Sequence, residues 1–176
     1  MNKPILNLHG LYGEPENTNY QLLKSINEDV ISPSIDYVNT SPEDIVGNLL
    51  SISKDVKFVA GQSFGGFFAL VVSDILDVPC LITNPCVPPE RYIPALVPFY
   101  KYTQNLIDMQ AKHRKMYTTD NRDIRMILGC KDEVLDYRFT KSLINISAIR
   151  PVEDGKHSLS GSEKFKTIFL EEVSYI

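Results

Sequence analysis

Short β-rich, apolar runs alternate with amphipathic helical patterns along most of this 176-residue chain. That alternation limits the available folds more than any other feature. Strands that return through a helix can pair in parallel, and the helices then cover both faces of the sheet. Six runs read as strands, centred on residues 5–8, 34–38, 56–60, 80–83, 124–128 and 148–152. Several are apolar at nearly every position, as a sheet buried on both faces requires. Helical patterns occupy about 19–26, 42–52, 64–76, 137–144 and 163–173. Ser41 can cap the second of these with Pro42 at its first position, and Ser160 or Ser162 followed by Glu163 can open the last. Ile45, Leu49 and Ile52 fall on one helix face, as do Phe165, Ile168, Phe169 and Val173, which gives each helix a stripe to lay on a sheet. The expected class is α/β, with a mostly parallel sheet of about six strands and helices on both faces.

Residues 86–121 break the rhythm. Pro88, Pro89, Pro94 and Pro98 stand there among Tyr92, Phe99, Tyr100, Tyr102 and Tyr117. The segment reads as a cap inserted between two strands of a single domain spanning 1–176, since no linker, repeat or low-complexity tract divides the chain.

Composition removes several function classes. A net charge of −4 without a basic stripe gives no footprint for a phosphate backbone, so nucleic acid is not an expected partner. No stretch approaches the run of about 20 apolar residues that a membrane-spanning helix needs. Cys80, Cys86 and Cys130 have no metal-ligand spacing, and their odd number suits reduced thiols. The start, Met1-Asn2-Lys3-Pro4, lacks the pattern of a secretory signal, and the expected location is the cytoplasm.

Gly61-Gln62-Ser63-Phe64-Gly65-Gly66 follows the apolar run Lys57-Phe58-Val59-Ala60 and precedes the helical run Phe67-Phe68-Ala69-Leu70-Val71-Val72. A serine between glycines at a strand-to-helix turn matches a nucleophile elbow, where the turn is tight and neighbouring backbone comes close. Such a serine sits at a helix N-terminus, where backbone N–H groups favour developing negative charge. A serine hydroxyl needs a base. Of His9, His113 and His157, the last alone follows both the serine and the candidate acids, in the turn-forming stretch Asp154-Gly155-Lys156-His157-Ser158. Asp132, Glu133 and Asp136 compete for the orienting carboxylate. Asp132 is nearest the strand end and is favoured, Asp136 is its main rival although it also suits an N-cap, and Glu133 can simply face solvent. The oxyanion donors expected in such a site are the backbone N–H of Phe64 and that of Leu11, or less favourably Tyr12, in Leu8-His9-Gly10-Leu11-Tyr12-Gly13. His9 itself reads as a structural loop residue.

With these pieces in order, the chain resembles the small bacterial esterases of the YqiA/YcfP type, a compact branch of the α/β-hydrolases. The resemblance rests on Leu8-His9-Gly10, Gly61-Gln62-Ser63-Phe64-Gly65-Gly66, Thr83-Asn84-Pro85-Cys86-Val87, Asp132-Glu133-Val134-Leu135-Asp136-Tyr137 and Gly155-Lys156-His157-Ser158. It implies a minimal α/β-hydrolase fold and a serine hydrolase of carboxylic esters or acyl thioesters, with the triad on Ser63, Asp132 and His157 and no metal or cofactor. The middle segment departs from the pattern, so substrate preference does not follow from it. Asn84 and Pro85 are candidates for a pocket floor or for a turn. Tyr102, Leu106, Met109, His113 and Tyr117 recur at helical spacing, which reads first as packing. If the segment overhangs the strand ends, Tyr102 and His113, with Tyr12, would line the pocket for a small acyl substrate. An acyltransferase using the same three groups, and a hydrolase-fold binding protein with a misassembled triad, are the competing functions.

Overall fold

The computed structural model describes residues 3–118, 123–144, 146 and 148–176. Strand β1 (Ile5–Leu8) is buried at all four positions. It pairs in parallel with β2 (Val30–Ile31) on one side and β3 (Val59–Gln62) on the other. The sheet then runs outward through β4 (Cys80–Thr83), β5 (Ile124–Gly129) and β6 (Ala148–Val152), every pair parallel, in the order β2-β1-β3-β4-β5-β6. The chain thus leaves β1 towards one edge and later returns to its other side. In an open parallel sheet such a reversal opens a crevice at the carboxyl ends of the two strands, where ligands bind.

Helices α1 (Thr18–Lys24) and α7 (Glu163–Ser174) cover one face. There Phe58, Ala60, Leu81 and Ile127 of the sheet region pack with Phe165 and Phe169 of α7. Helices α2 (Pro42–Ile52) and α3 (Phe64–Leu76) cover the other. Ser41 caps α2 by accepting the Asp44 N–H, with Pro42 at the first position. Phe64, Phe67 and Phe68 of α3 are fully buried and interlock with Tyr37 at ring separations of 5.1–6.3 Å. Burying each such phenylalanine contributes on the order of 2–3 kcal/mol.

The strand expected at 34–38 is a loop instead. The backbone there bonds to side chains instead of a neighbouring strand: Ile35 donates to Nε2 of His9, while Val38 and the following Asn39 donate to the Asp36 carboxylate. That side chain competes with a sheet ladder for the backbone. The neighbouring edge strand is the two-residue β2. The third strand also lies later than expected, at Val59–Gln62, running directly into Ser63.

Residues 86–121 contain α4 (Pro89–Leu96), α5 (Thr103–Lys112) and a 3₁₀ turn (Arg114–Tyr117); residues 119–121 of that segment lie outside those described. Leu106, Met109 and Met116 point inward. The stripe read from the sequence packs α5 against α2 and the 3₁₀ turn against α3. Helix α6 (Tyr137–Leu143) follows β5, capped by Asp136. Among the described residues no helix is long and apolar enough to cross a membrane.

Candidate active site

Ser63 stands between β3 and α3 with φ 52° and ψ −122°, a positive φ that side chains other than glycine seldom adopt. The surroundings hold it there. Its N–H donates to the Thr83 carbonyl (3.0 Å), and its own carbonyl accepts from Gly66 (2.9 Å) and Cys86 (2.8 Å). The flanking glycines are explained by proximity. A Cβ on Gly65 would stand 2.5 Å from the Leu8 carbonyl oxygen, so no larger residue allows α3 to start this close to β1. The same crossing brings the turn after β1 to the serine.

That turn is fixed by His9, which is 2 % exposed. The Ile35 N–H donates to its Nε2 (3.0 Å), so Nδ1 carries the ring proton and donates to the Gly10 carbonyl (2.8 Å). Tyr37 donates its hydroxyl to the His9 carbonyl (2.7 Å), and burial pushes that phenol well above its usual range. His9 therefore has the structural role read from the sequence.

Beyond β5, Asp132 turns its carboxylate inward, with 1 % of the side chain exposed. Oδ1 accepts the N–H groups of Val134 and Leu135, both at 2.8 Å. Oδ2 accepts Nδ1–H of His157 at 2.8 Å. A carboxylate held this way fixes the proton on Nδ1 and leaves Nε2 as an acceptor. Nε2 is 2.9 Å from Oγ of Ser63. The chain thus brings together a hydroxyl, an imidazole and a carboxylate from three separate loops at the carboxyl ends of β3, β5 and β6. Such a row can draw a proton from the hydroxyl while the buried carboxylate stabilises the imidazolium that forms.

Asp136 stays with α6, accepting the Arg138 and Phe139 N–H groups, and makes no bond to His157. Glu133, read from sequence as facing solvent, is exposed and also accepts the His157 main-chain N–H at 3.2 Å. Phe64 is the first residue of α3, where N–H groups have no intrahelical acceptor. Gly10 packs on Ser63 so closely that a Cβ there would be 3.1 Å from Ser63 Cβ, which sets the Gly10–Leu11 backbone beside the hydroxyl.

Four residues were expected to touch substrate, and each has defined surroundings. Asn84 is 1 % exposed, and its amide is bonded to main chain: Nδ2 to the carbonyls of Lys156 and His157, Oδ1 from the Gly129 N–H. It ties the turns after β5 and β6 to the end of β4. His113 pairs through Nδ1 with Asp74 at 3.0 Å. Asp74 lies near the far end of α3, about 16 Å along the helix from Ser63 at 1.5 Å per residue. The 3₁₀ turn that follows His113 packs down on α3, and this carries the histidine away from the strand ends. Tyr102 donates its hydroxyl to the Asn39 carbonyl and sets its ring edge-on to Tyr100. Tyr12, 72 % exposed, lies on the same turn as Gly10 at the open rim.

Among the described residues no group of three or more His, Cys, Asp or Glu is arranged to hold a metal ion. The model of the uncharacterised protein family UPF0227 matches residues 4–169. The chain belongs to UPF0227. Solved structures share the architecture of this UPF0227 chain at low identity. Est1E from Butyrivibrio proteoclasticus with ferulic acid bound is 13 % identical at TM-score 0.72, covering 98 % of this chain and 90 % of that one. Alpha/beta hydrolase domain-containing protein 10 from mouse is 11 % identical at TM-score 0.73, covering 98 % and 88 %. The esterase domain of a Rhodothermus marinus protein is 14 % identical at TM-score 0.69, covering 98 % and 85 %. The UPF0227 chain has the α/β-hydrolase fold.

Proposed function

We propose that this protein is a serine hydrolase of small carboxylic esters or acyl thioesters that works through an acyl-enzyme. The observation that carries the reading is the unbroken row from Ser63 Oγ to His157 Nε2 (2.9 Å) and from Nδ1 to Asp132 Oδ2 (2.8 Å). The esterase name carried by fold neighbours such as the Rhodothermus marinus domain supports an ester substrate over an amide or phosphate.

Ser63 Oγ attacks the acyl carbon while His157 Nε2 takes its proton, and Asp132 stabilises the imidazolium. The tetrahedral oxygen accepts from the N–H groups of Phe64 and Leu11. His157 then returns the proton to the departing alkoxide or thiolate. Water, activated by the same imidazole, releases the acid and restores the hydroxyl. With Tyr12 at an open rim, the site suits a short acyl group whose leaving group extends into solvent.

A fluorophosphonate probe should attach to Ser63, seen as a mass shift on its peptide, and p-nitrophenyl acetate or butyrate should give a burst followed by steady turnover. Ser63→Ala should abolish both. Turnover by Ser63→Ala at the wild-type rate would remove the proposal.

A further inference from the structure

One turn, residues 83–86 at the end of β4, is bonded to all three segments that carry Ser63, Asp132 and His157. Thr83 and Cys86 hold the backbone of Ser63 from both sides, at 3.0 and 2.8 Å. Asn84 supplies the other two attachments. Its Oδ1 accepts the Gly129 N–H at 2.7 Å, where β5 passes into the turn bearing Asp132. Its Nδ2 donates to the carbonyls of Lys156 (3.0 Å) and His157 (2.9 Å). A primary amide has two N–H donors, and here both are directed at the backbone that carries the imidazole. At 1 % exposure no solvent competes for them. The residue is held at φ 40°, a conformation asparagine tolerates better than other side chains apart from glycine.

We propose that Asn84 is a positioning residue for His157. By joining the His157 carbonyl to the end of β5 through one rigid amide, it sets the imidazole in register with both Ser63 Oγ and Asp132 Oδ2. The inference rests on the reading of Ser63 as nucleophile and His157 as base. Displacing a reacting group by about 1 Å costs on the order of 100-fold in rate, and two hydrogen bonds of 2.9–3.0 Å are the kind of restraint that prevents it. The alternative, that Asn84 only stabilises the fold, predicts a different pattern of rates.

The test is a double-mutant cycle with p-nitrophenyl butyrate and the fluorophosphonate probe. Asn84→Gly keeps the positive φ and removes the amide. Asn84→Asp keeps the size and the acceptor for Gly129 but sets a carboxylate oxygen against two carbonyls, so Asn84→Ser, small and uncharged, supplies the readout with the same expected losses if either of the others fails to fold. Each should lower kcat and the labelling rate by about 30- to 100-fold, with KM within about twofold of wild type. In a His157→Ala background the same changes should cost nothing further, within about twofold, because the residue acts through the imidazole. Wild-type rates for Asn84→Asp, or an equal loss with and without His157, would overturn the inference. An inactive Ser63→Ala alongside either result confines the failure to Asn84, whereas an active Ser63→Ala removes the underlying reading and the inference with it.

Discussion

Gly10 and Ser63 lie so close that a Cβ on the glycine would stand 3.1 Å from Ser63 Cβ and 3.6 Å from its Oγ. The contact is tight without being impossible. Gly10→Ala should therefore fold but push the turn after β1, with the Leu11 N–H, a few tenths of an ångström from the hydroxyl. The expected loss in kcat/KM for p-nitrophenyl butyrate is about tenfold, equivalent to about 1.4 kcal/mol of transition-state stabilisation. A melting temperature close to wild type should accompany it, and unchanged kinetics would remove Leu11 as a donor.

Asp132 and Asp136 differ in what they hold. Asp132 receives the imidazole and two N–H groups, whereas Asp136 caps α6. Asp132→Asn should lower kcat by about 10⁴ through the wrong histidine tautomer. Asp136→Ala should cost about 1 kcal/mol of stability and leave kcat near wild type. Steady-state kinetics and urea melts of the two variants decide between the carboxylates, and the reverse ranking would transfer the role to Asp136.

Glu172 on α7 is 1 % exposed and receives Arg125 at 2.8 Å and Arg150 at 2.6 Å. Removing its carboxylate takes the buried partner from both guanidinium groups and leaves Arg125 with Asp123 and Arg150 with Glu171. Glu172→Ala should destabilise the fold by about 3 kcal/mol, the lower end for a broken buried pair because Arg150 is itself 37 % exposed. Active-site titration with the fluorophosphonate should show normal turnover per folded molecule, and a denaturant midpoint equal to wild type would contradict a stabilising role for the Glu172 carboxylate.

Cys86 lies under the site, and burial, aided by the Glu90 and Asp132 carboxylates, pushes its thiol far above the usual range. Its reactive thiolate is suppressed throughout the pH range in which the protein is assayed. Cys80 is likewise buried and Cys130 half-buried. Ellman's reagent at pH 8 should titrate Cys130 in the native protein and all three cysteines of the chain in guanidinium. Rapid native modification of Cys86, located by peptide mass, would contradict this account of the packing around the site.

The elements with a strong local signal were legible in the sequence. The three apolar residues of β1 (Ile5, Leu6 and Leu8), the Ser41-Pro42 start of α2 and the glycine-flanked Ser63 each require little from the rest of the chain. The edge of the sheet was harder to read. Ile35 and Tyr37 alternate as a strand would, yet His9 and Asp36 take their backbone and hydroxyl groups into a loop. Helix α4 was masked by Pro94 and the crowded aromatics, although Pro89 stands at a helix start where proline is welcome, whereas α5 showed only as a stripe at helical spacing. Asn84 was legible as a turn residue, but its bonds reach 45 and 73 residues along the chain. Local pattern carries no signal for contacts of that range.

The loop bearing His157 is anchored by Leu159, whose side chain enters the apolar layer shared with Phe165 and Phe169, whereas Phe64, next to Ser63, belongs to the layer on the opposite face of the sheet. His157 and Ser63 are consequently fastened to different halves of the sandwich, and under the proposed function turnover would gauge how firmly those halves are clamped. Gentle warming that loosens α7 should end ester turnover while most of the helix signal persists.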